Sequence, residues 1–231
     1  MARGKLIVIE GIDGAGKRTQ ADLLARAFQE RGVPFVRFSF PRYESSFGRV
    51  IARFLNGEFG PLPAVDAHFS ALLYAGDRFE AKPELEGALN SGQAVVTDRY
   101  IASNLAHQAA RVAAERRPEF ILWLRELEYG IYGLPAEDLI VYLRVPAKEG
   151  HRLVGLKSAR GYTEKRRDLQ ESDLLHLQEA ALVYDELAQQ PNWVTIECFD
   201  AKSGKHRPPE EIHQDLLEAV DSRILSRVAQ T

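Results

Sequence analysis

Gly11-Ile12-Asp13-Gly14-Ala15-Gly16-Lys17-Arg18-Thr19 follows the apolar run Leu6-Ile7-Val8-Ile9 after a single residue, Glu10. A strand feeding a glycine-rich turn and then a helix can cradle phosphates, because the turn's N–H groups converge on an anion and the helix adds its positive end. Lys17 stands where a mobile cation reaches the terminal phosphates of a nucleotide. A hydroxyl should follow that lysine to help hold Mg²⁺, but Arg18 is there and Thr19 comes one place later. The spacing of Gly11, Gly16 and Lys17 predicts phosphate binding and leaves the manner of metal binding open.

Other constellations are weaker alone. Val95-Val96-Thr97-Asp98 ends an apolar run on an acid, which suits either a residue near Mg²⁺ or a cap for the next helix. Arg99 follows at once and puts a phosphate-sized cation beside it. Tyr74 and Arg78 are four apart on an expected helix and share a face, as a base-stacking ring and an edge-bonding guanidinium would; core packing also explains the aromatic. Phe40-Pro41-Arg42-Tyr43 makes a stiff strand exit from which Arg42 could reach an acceptor phosphate or only solvent. Ser103, Asn104, His107 and Gln108 put four polar groups on neighbouring helical positions, facing either a base and sugar or water. Lys157, Arg160, Lys165, Arg166 and Arg167 form a cationic run broken by Glu164 and followed by Asp168 and Glu171. Beside a phosphate loop such a run reads as a closing flap that supplies arginine to phosphoryl transfer.

These residues need a scaffold. Apolar runs at Leu6–Glu10, Phe35–Phe40, Ala94–Asp98, Leu139–Arg144 and Trp193–Phe199 alternate with helical stretches, which predicts an α/β fold with a parallel sheet. Helices are expected over about Gly16–Arg31, Phe47–Asn56, Ala64–Asn90, Ile101–Ala114, Phe120–Tyr132, Leu169–Gln189 and Glu210–Ala229, with Ala201–Pro209 a polar loop. Gly32 is placed to stop the first helix. The 231 residues fit one domain, 1–231, with a mobile lid at about 150–171. A net charge of −3 argues against a dedicated nucleic-acid or membrane-surface binder, and no run has signal-peptide or transmembrane character. The single cysteine, Cys198, excludes an internal disulfide and is expected to be buried and inert; a cytoplasmic protein is expected.

Glu10-Gly11-Ile12-Asp13-Gly14-Ala15-Gly16-Lys17, Phe40-Pro41-Arg42, Asp77-Arg78 and Asp98-Arg99-Tyr100 with Ser103, in that order, resemble the thymidylate kinase family. The Lys17-Arg18-Thr19 variant and Arg99-Tyr100-Ile101-Ala102-Ser103-Asn104 are most similar to its actinobacterial form. The resemblance implies a P-loop NTPase fold of the nucleoside-monophosphate-kinase type, with a five-stranded parallel sheet and a lid. It implies transfer of the ATP γ-phosphoryl to dTMP with Mg²⁺, in a homodimer. Gly11, Gly14, Ala15, Gly16, Lys17, Arg18, Thr19 and Arg167 would hold ATP. Asp13, Phe40, Pro41, Arg42, Tyr74, Arg78, Arg99, Ser103, Asn104, His107 and Gln108 would hold dTMP. Lys17, Arg99, Asp13, Arg160 and Arg166 would serve catalysis, Asp168 and Glu171 are the lid's acidic positions, and Asp13 with Asp98 would meet the metal. His107 and Gln170 depart from the family's usual aromatic residues. Two other readings stand: a P-loop kinase for another acceptor, and a nucleotide-binding protein that has lost its metal chemistry.

Overall fold

The computed structural model describes residues 3–155, 170 and 173–225. The expected apolar runs become five parallel strands: β1 (Leu6–Glu10), β2 (Phe35–Ser39), β3 (Ala94–Asp98), β4 (Leu139–Arg144) and β5 (Trp193–Glu197). Their order is β2-β3-β1-β4-β5. All five residues of β1 and of β3 are buried, as a strand covered on both faces requires. The connection leaving β1 runs to one side of the sheet and that leaving β4 to the other, so the crevice between their carboxyl ends is the switch point where such folds bind ligands.

The helices are α1 (Lys17–Glu30), α2 (Ser46–Leu55), α3 (Ala67–Asn90), α4 (Ile101–Ala109), α5 (Arg117–Arg125), α6 (Ala147–Val154), α7 (Leu174–Leu187) and α8 (Pro209–Val220). α1 ends as expected: the Gly32 N–H donates to the Gln29 carbonyl and the Val33 N–H to that of Phe28, so the last carbonyls are satisfied. Polar caps set other boundaries. Asp66 accepts from the N–H groups of His68 and Phe69, starting α3 after Ala64, and Asp173 accepts from that of His176, starting α7 after Leu169.

Several expectations need correcting. The helix from Ile101 stops at Ala109, and a 3₁₀ turn over Ala114–Arg116 leads into α5, with Pro118 in its first turn. α5 then widens into a π-helix over Glu126–Ile131, as α8 does over Asp221–Leu225. α6 was not foreseen, its eight residues being too few to display a helical period. The polar segment after β5 is an antiparallel pair, β6 (Phe199–Asp200) with β7 (Lys205–His206). Cys198 is fully buried, which pushes its thiol up to about 12. Among the described residues no helix is long and apolar enough to cross a membrane.

Candidate active site

The chain turns through Gly11–Gly16 between β1 and α1 with no room for a side chain at Gly11 or Gly14. A Cβ on Gly11 would stand 2.6 Å from the Leu143 carbonyl oxygen, and one on Gly14 would stand 2.3 Å from that of Gly150. Both residues have positive φ, 144° and 88°, where an L side chain is strained. The loop is wedged between the end of β4 and the unforeseen α6. Lys17 is buried, and its Nζ donates to the carbonyls of Gly11 and Ile12, 2.8 Å each. Arg18 and Thr19, one and two positions on, are exposed.

Arg99 joins this loop to the rest of the cleft. It is the one described non-glycine residue with positive φ, 67°, a strained conformation of the kind kept at functional sites. Its Nη2 donates to Asp13 Oδ1 at 2.5 Å and its Nη1 to Ser103 Oγ at 3.0 Å, with His107 Nε2 3.3 Å away. Glu10 holds the turn beneath it. The Glu10 carboxylate accepts from the N–H groups of Tyr100 (2.8 Å) and Ser103 (3.1 Å), and from the hydroxyls of Ser103 (2.6 Å) and Tyr184 (2.8 Å). An acid at the end of β1 thereby caps α4, favourably placed at the helix's positive end.

A cavity opens beside Arg99. Asp13, Phe40, Pro41, Tyr74, Arg78, Arg99, Ser103, Asn104, His107 and Gln108 line it, together with Tyr43, Leu55 and Gln170. Arg42 does not line it: its guanidinium turns to Asp77 (Nε–Oδ1 3.5 Å) and Glu84. Asp77 also accepts from the Arg42 N–H and the Ser45 hydroxyl, and burial raises its pKa.

The cavity wall is wired by buried charge. Arg78 Nε and Nη2 each donate to Glu128 at 2.6 Å, and both residues are almost wholly buried. Glu128 Oε1 also accepts from Asn104 Nδ2 at 2.8 Å, and that nitrogen donates to the Ala71 carbonyl as well. Gln108 Oε1 accepts from Ser70 Oγ and Arg111 Nη1, 2.8 Å each. Asn104 Oδ1 and Gln108 Nε2 are left buried without a hydrogen-bond partner among the described residues. His107 Nε2 faces Arg99, which can only donate, so its Nδ1 carries the proton toward His176 Nε2, 3.3 Å away. Burial lowers both imidazoles, His107 well below its ordinary value, with Arg99 adding to the effect, and His176 to about 4.

Asp98 is buried at the end of β3, opposite Ile9, and its Oδ1 lacks a hydrogen-bond partner among the described residues. Arg160, Arg166, Arg167, Asp168 and Glu171 lie outside the described residues.

A family model described as thymidylate kinase matches residues 9–214. This chain belongs to the thymidylate kinase family. It is 38% identical over 190 residues to the thymidylate kinase of Mycobacterium tuberculosis, covering 80% of this chain and 86% of the relative. It is 32% identical over 230 residues to a probable thymidylate kinase of Thermococcus gammatolerans, covering 97% and 100%. The solved thymidylate kinase of Candida albicans shares the fold, with a TM-score of 0.75 over 96% of this chain and 93% of that one, at 21% identity. A thymidylate kinase is a nucleoside-monophosphate kinase, hence a phosphotransferase. In this chain the residues that sequence reasoning missed are Glu10, Glu128, His176 and Tyr184. Glu10 had a readable signal, an acid closing an apolar strand as Asp98 does. The other three act across more than 20 residues of chain, and nothing local marks them.

Proposed function

We propose that this chain transfers the γ-phosphoryl group of ATP to dTMP, giving dTDP and ADP. The observation that carries the acceptor assignment is that two residues of the cavity wall, Asn104 and Gln108, one helical turn apart, each keep one buried amide atom without a partner among the described residues, an oxygen on Asn104 and a nitrogen on Gln108. Thymine presents the complementary edge, an N3–H beside a C4 carbonyl. Cytosine presents the reverse, an acceptor beside a donor. Tyr74 would stack on the ring and Arg78 line its edge, while Phe40, Pro41 and Leu55 give apolar contact.

Arg99 would bind the acceptor phosphate, exchanging part of its pairing with Asp13, and Arg42 would join it by leaving Asp77. Lys17 and the N–H groups of residues 14–19 would hold the donor phosphates, Lys17 turning from the loop carbonyls to the anion. The acceptor oxygen is already anionic at neutral pH, so no general base and no covalent intermediate are needed. In-line transfer then requires only that two phosphates be aligned and their repulsion screened. Asp13 and Asp98 fit a Mg²⁺ ion that keeps its waters and phosphate ligands, Asp98 through its unpartnered carboxylate oxygen. The ion, when bound, neutralises charge developing on the transferred group. The basic segment 157–167 would close over the site, with Arg160 and Arg166 toward the transferred group and Arg167 toward ATP. Asp168 and Glu171 are assigned to the same lid, about 150–171 of a single domain 1–231.

Within the family, the actinobacterial form is the nearer relative on this reading, which the 38% identity to the mycobacterial enzyme supports. A homodimer is supported by Phe69, Leu72 and Phe79, exposed along one face of α3, in addition to exposed Leu122 and Ile131 near α5. A cytoplasmic location is part of the same reading. ADP release from MgATP with dTMP, dUMP, dCMP and dGMP as separate acceptors tests it. dTMP should lead, with dUMP below it by up to about 200-fold, since one methyl group separates them. Equal use of dCMP would defeat the acceptor assignment, and silence with all four would favour a nucleotide-binding protein without transfer.

A further inference from the structure

The geometry points to Arg111, which is not among the residues lining the cavity, as the residue that sets the polarity of the base-reading wall and thereby selects the acceptor base. This inference rests on the acceptor reading given above.

An amide side chain can present either its oxygen or its nitrogen, and each choice reads a different base edge. Asn104 has no choice, because Nδ2 lies against two groups that can only accept, Glu128 Oε1 at 2.8 Å and the Ala71 carbonyl at 3.0 Å. Reversing it would set oxygen against oxygen at both contacts, so its Oδ1 is the atom left for a ligand. Gln108 is held by a different logic. Its Oε1 meets Ser70 Oγ, a hydroxyl that can donate or accept and therefore does not choose. Its other partner is Arg111 Nη1 at 2.8 Å, a guanidinium that can only donate. Arg111 alone makes the oxygen side of Gln108 obligatory and leaves Nε2 buried and without a hydrogen-bond partner among the described residues.

Arg111 is itself rigidly mounted. Its Nη1 also reaches Ser70 Oγ, and its Nη2 donates to the carbonyls of Leu62 and Val65. It lies one turn of backbone beyond Gln108, outside the cavity. Without it, Gln108 could turn its nitrogen to Ser70 and its oxygen to the cavity at little cost. The wall would then show two acceptors, penalise the thymine C4 carbonyl and welcome the cytosine amino group. A site that hydrogen-bonds its substrate loses discrimination when a partner reverses.

Two substitutions test this by the ratio of kcat/KM for dTMP to that for dCMP. In Arg111→Met the ratio should fall at least ten-fold. In Gln108→Glu one carboxylate oxygen keeps Arg111 while the other meets the ligand as an acceptor, and the ratio should fall by a similar factor. Arg111 also braces the 62–65 turn, so Arg111→Met lowers the folded fraction as well. That loss scales both nucleotides equally and cancels in the ratio, which a merely structural role would leave untouched. If Arg111→Met does not fold, Gln108→Glu decides alone. An unchanged ratio in the folded variants, with wild type preferring dTMP, overturns the inference and leaves the acceptor reading standing. A wild-type protein that prefers dCMP overturns both.

Discussion

The glycine-rich loop and the polar cavity are neighbours built in opposite ways. The loop is contiguous: residues 11–17 supply its glycines, its lysine and the carbonyls that hold that lysine. The cavity takes its walls from Asp13, the chain after β2, α2, α3, the turn after β3, α4 and the chain before α7, and its wiring from residues farther off. Arg78 and Glu128 are 50 positions apart, and Glu10 and Tyr184 are 174 apart. A local site tolerates loss of a side chain without loss of the fold. A site whose walls are also a buried polar network does not, because removing one member strands the others away from water.

The sharpest break should come at Glu128. Glu128→Ala leaves the Arg78 guanidinium buried and unpaired and should cost about 3–5 kcal/mol of unfolding free energy; a urea midpoint close to wild type would show that the pair is not the cavity's anchor. At the loop the pattern inverts. Lys17→Ala should lower kcat by about 10²–10³ with every acceptor, with thermal stability nearly unchanged. A variant that keeps transfer but melts early would assign Lys17 to the fold instead.

Acid pH probes the buried His107–His176 pair at the cavity. Burial depresses the folded-state pKa of His107 and His176, the latter to about 4. The unfolded chain therefore takes up protons first as pH falls below about 6.5. The contribution of these two histidines is full above that value and is lost on acidification toward 4, while Glu137, raised by burial to about 7, contributes in the opposite sense. For His176 the loss between pH 7 and 5 should be about 2 kcal/mol. His176→Gln should flatten that slope, and parallel stability curves for the two proteins would refute the assignment. The smallest effect belongs to a local contact near the loop end of β2. Ser45→Ala removes the cap on the Gly48 N–H and a bond to Asp77, and should cost about 1 kcal/mol in chemical denaturation. A much larger loss would mean that Asp77 and Arg42 depend on it.

The same contrast explains what could be read before the structure. Strand positions and the phosphate loop were legible because an apolar run and a tight glycine turn are dictated by neighbours in sequence. The boundaries that slipped were set by capping and by packing. Asp66 and Asp173 start two helices later than periodicity suggests, and the π-helix at Glu126–Ile131 breaks a run that reads as plain helix. Tyr74, Arg78, Ser103, Asn104, His107 and Gln108 could be singled out as polar or aromatic positions sharing helical faces, and they do share one cavity. Which atom each presents was not readable, because that depends on Glu128, Arg111 and His176.

By itself, then, the order of residues determined a parallel α/β scaffold, a tight glycine-rich turn after its first strand and a row of polar residues at the start of the fourth helix, since these follow from periodicity and backbone sterics within short windows. Tertiary structure alone decided that Asp13 meets Arg99, that Glu10 caps α4, and that the Asn104 nitrogen and the Gln108 oxygen are the amide atoms held by neighbours. The physical reason is that a hydrogen bond's direction is set by whichever donor-only or acceptor-only group folding brings within 3 Å, and sequence distance does not record that.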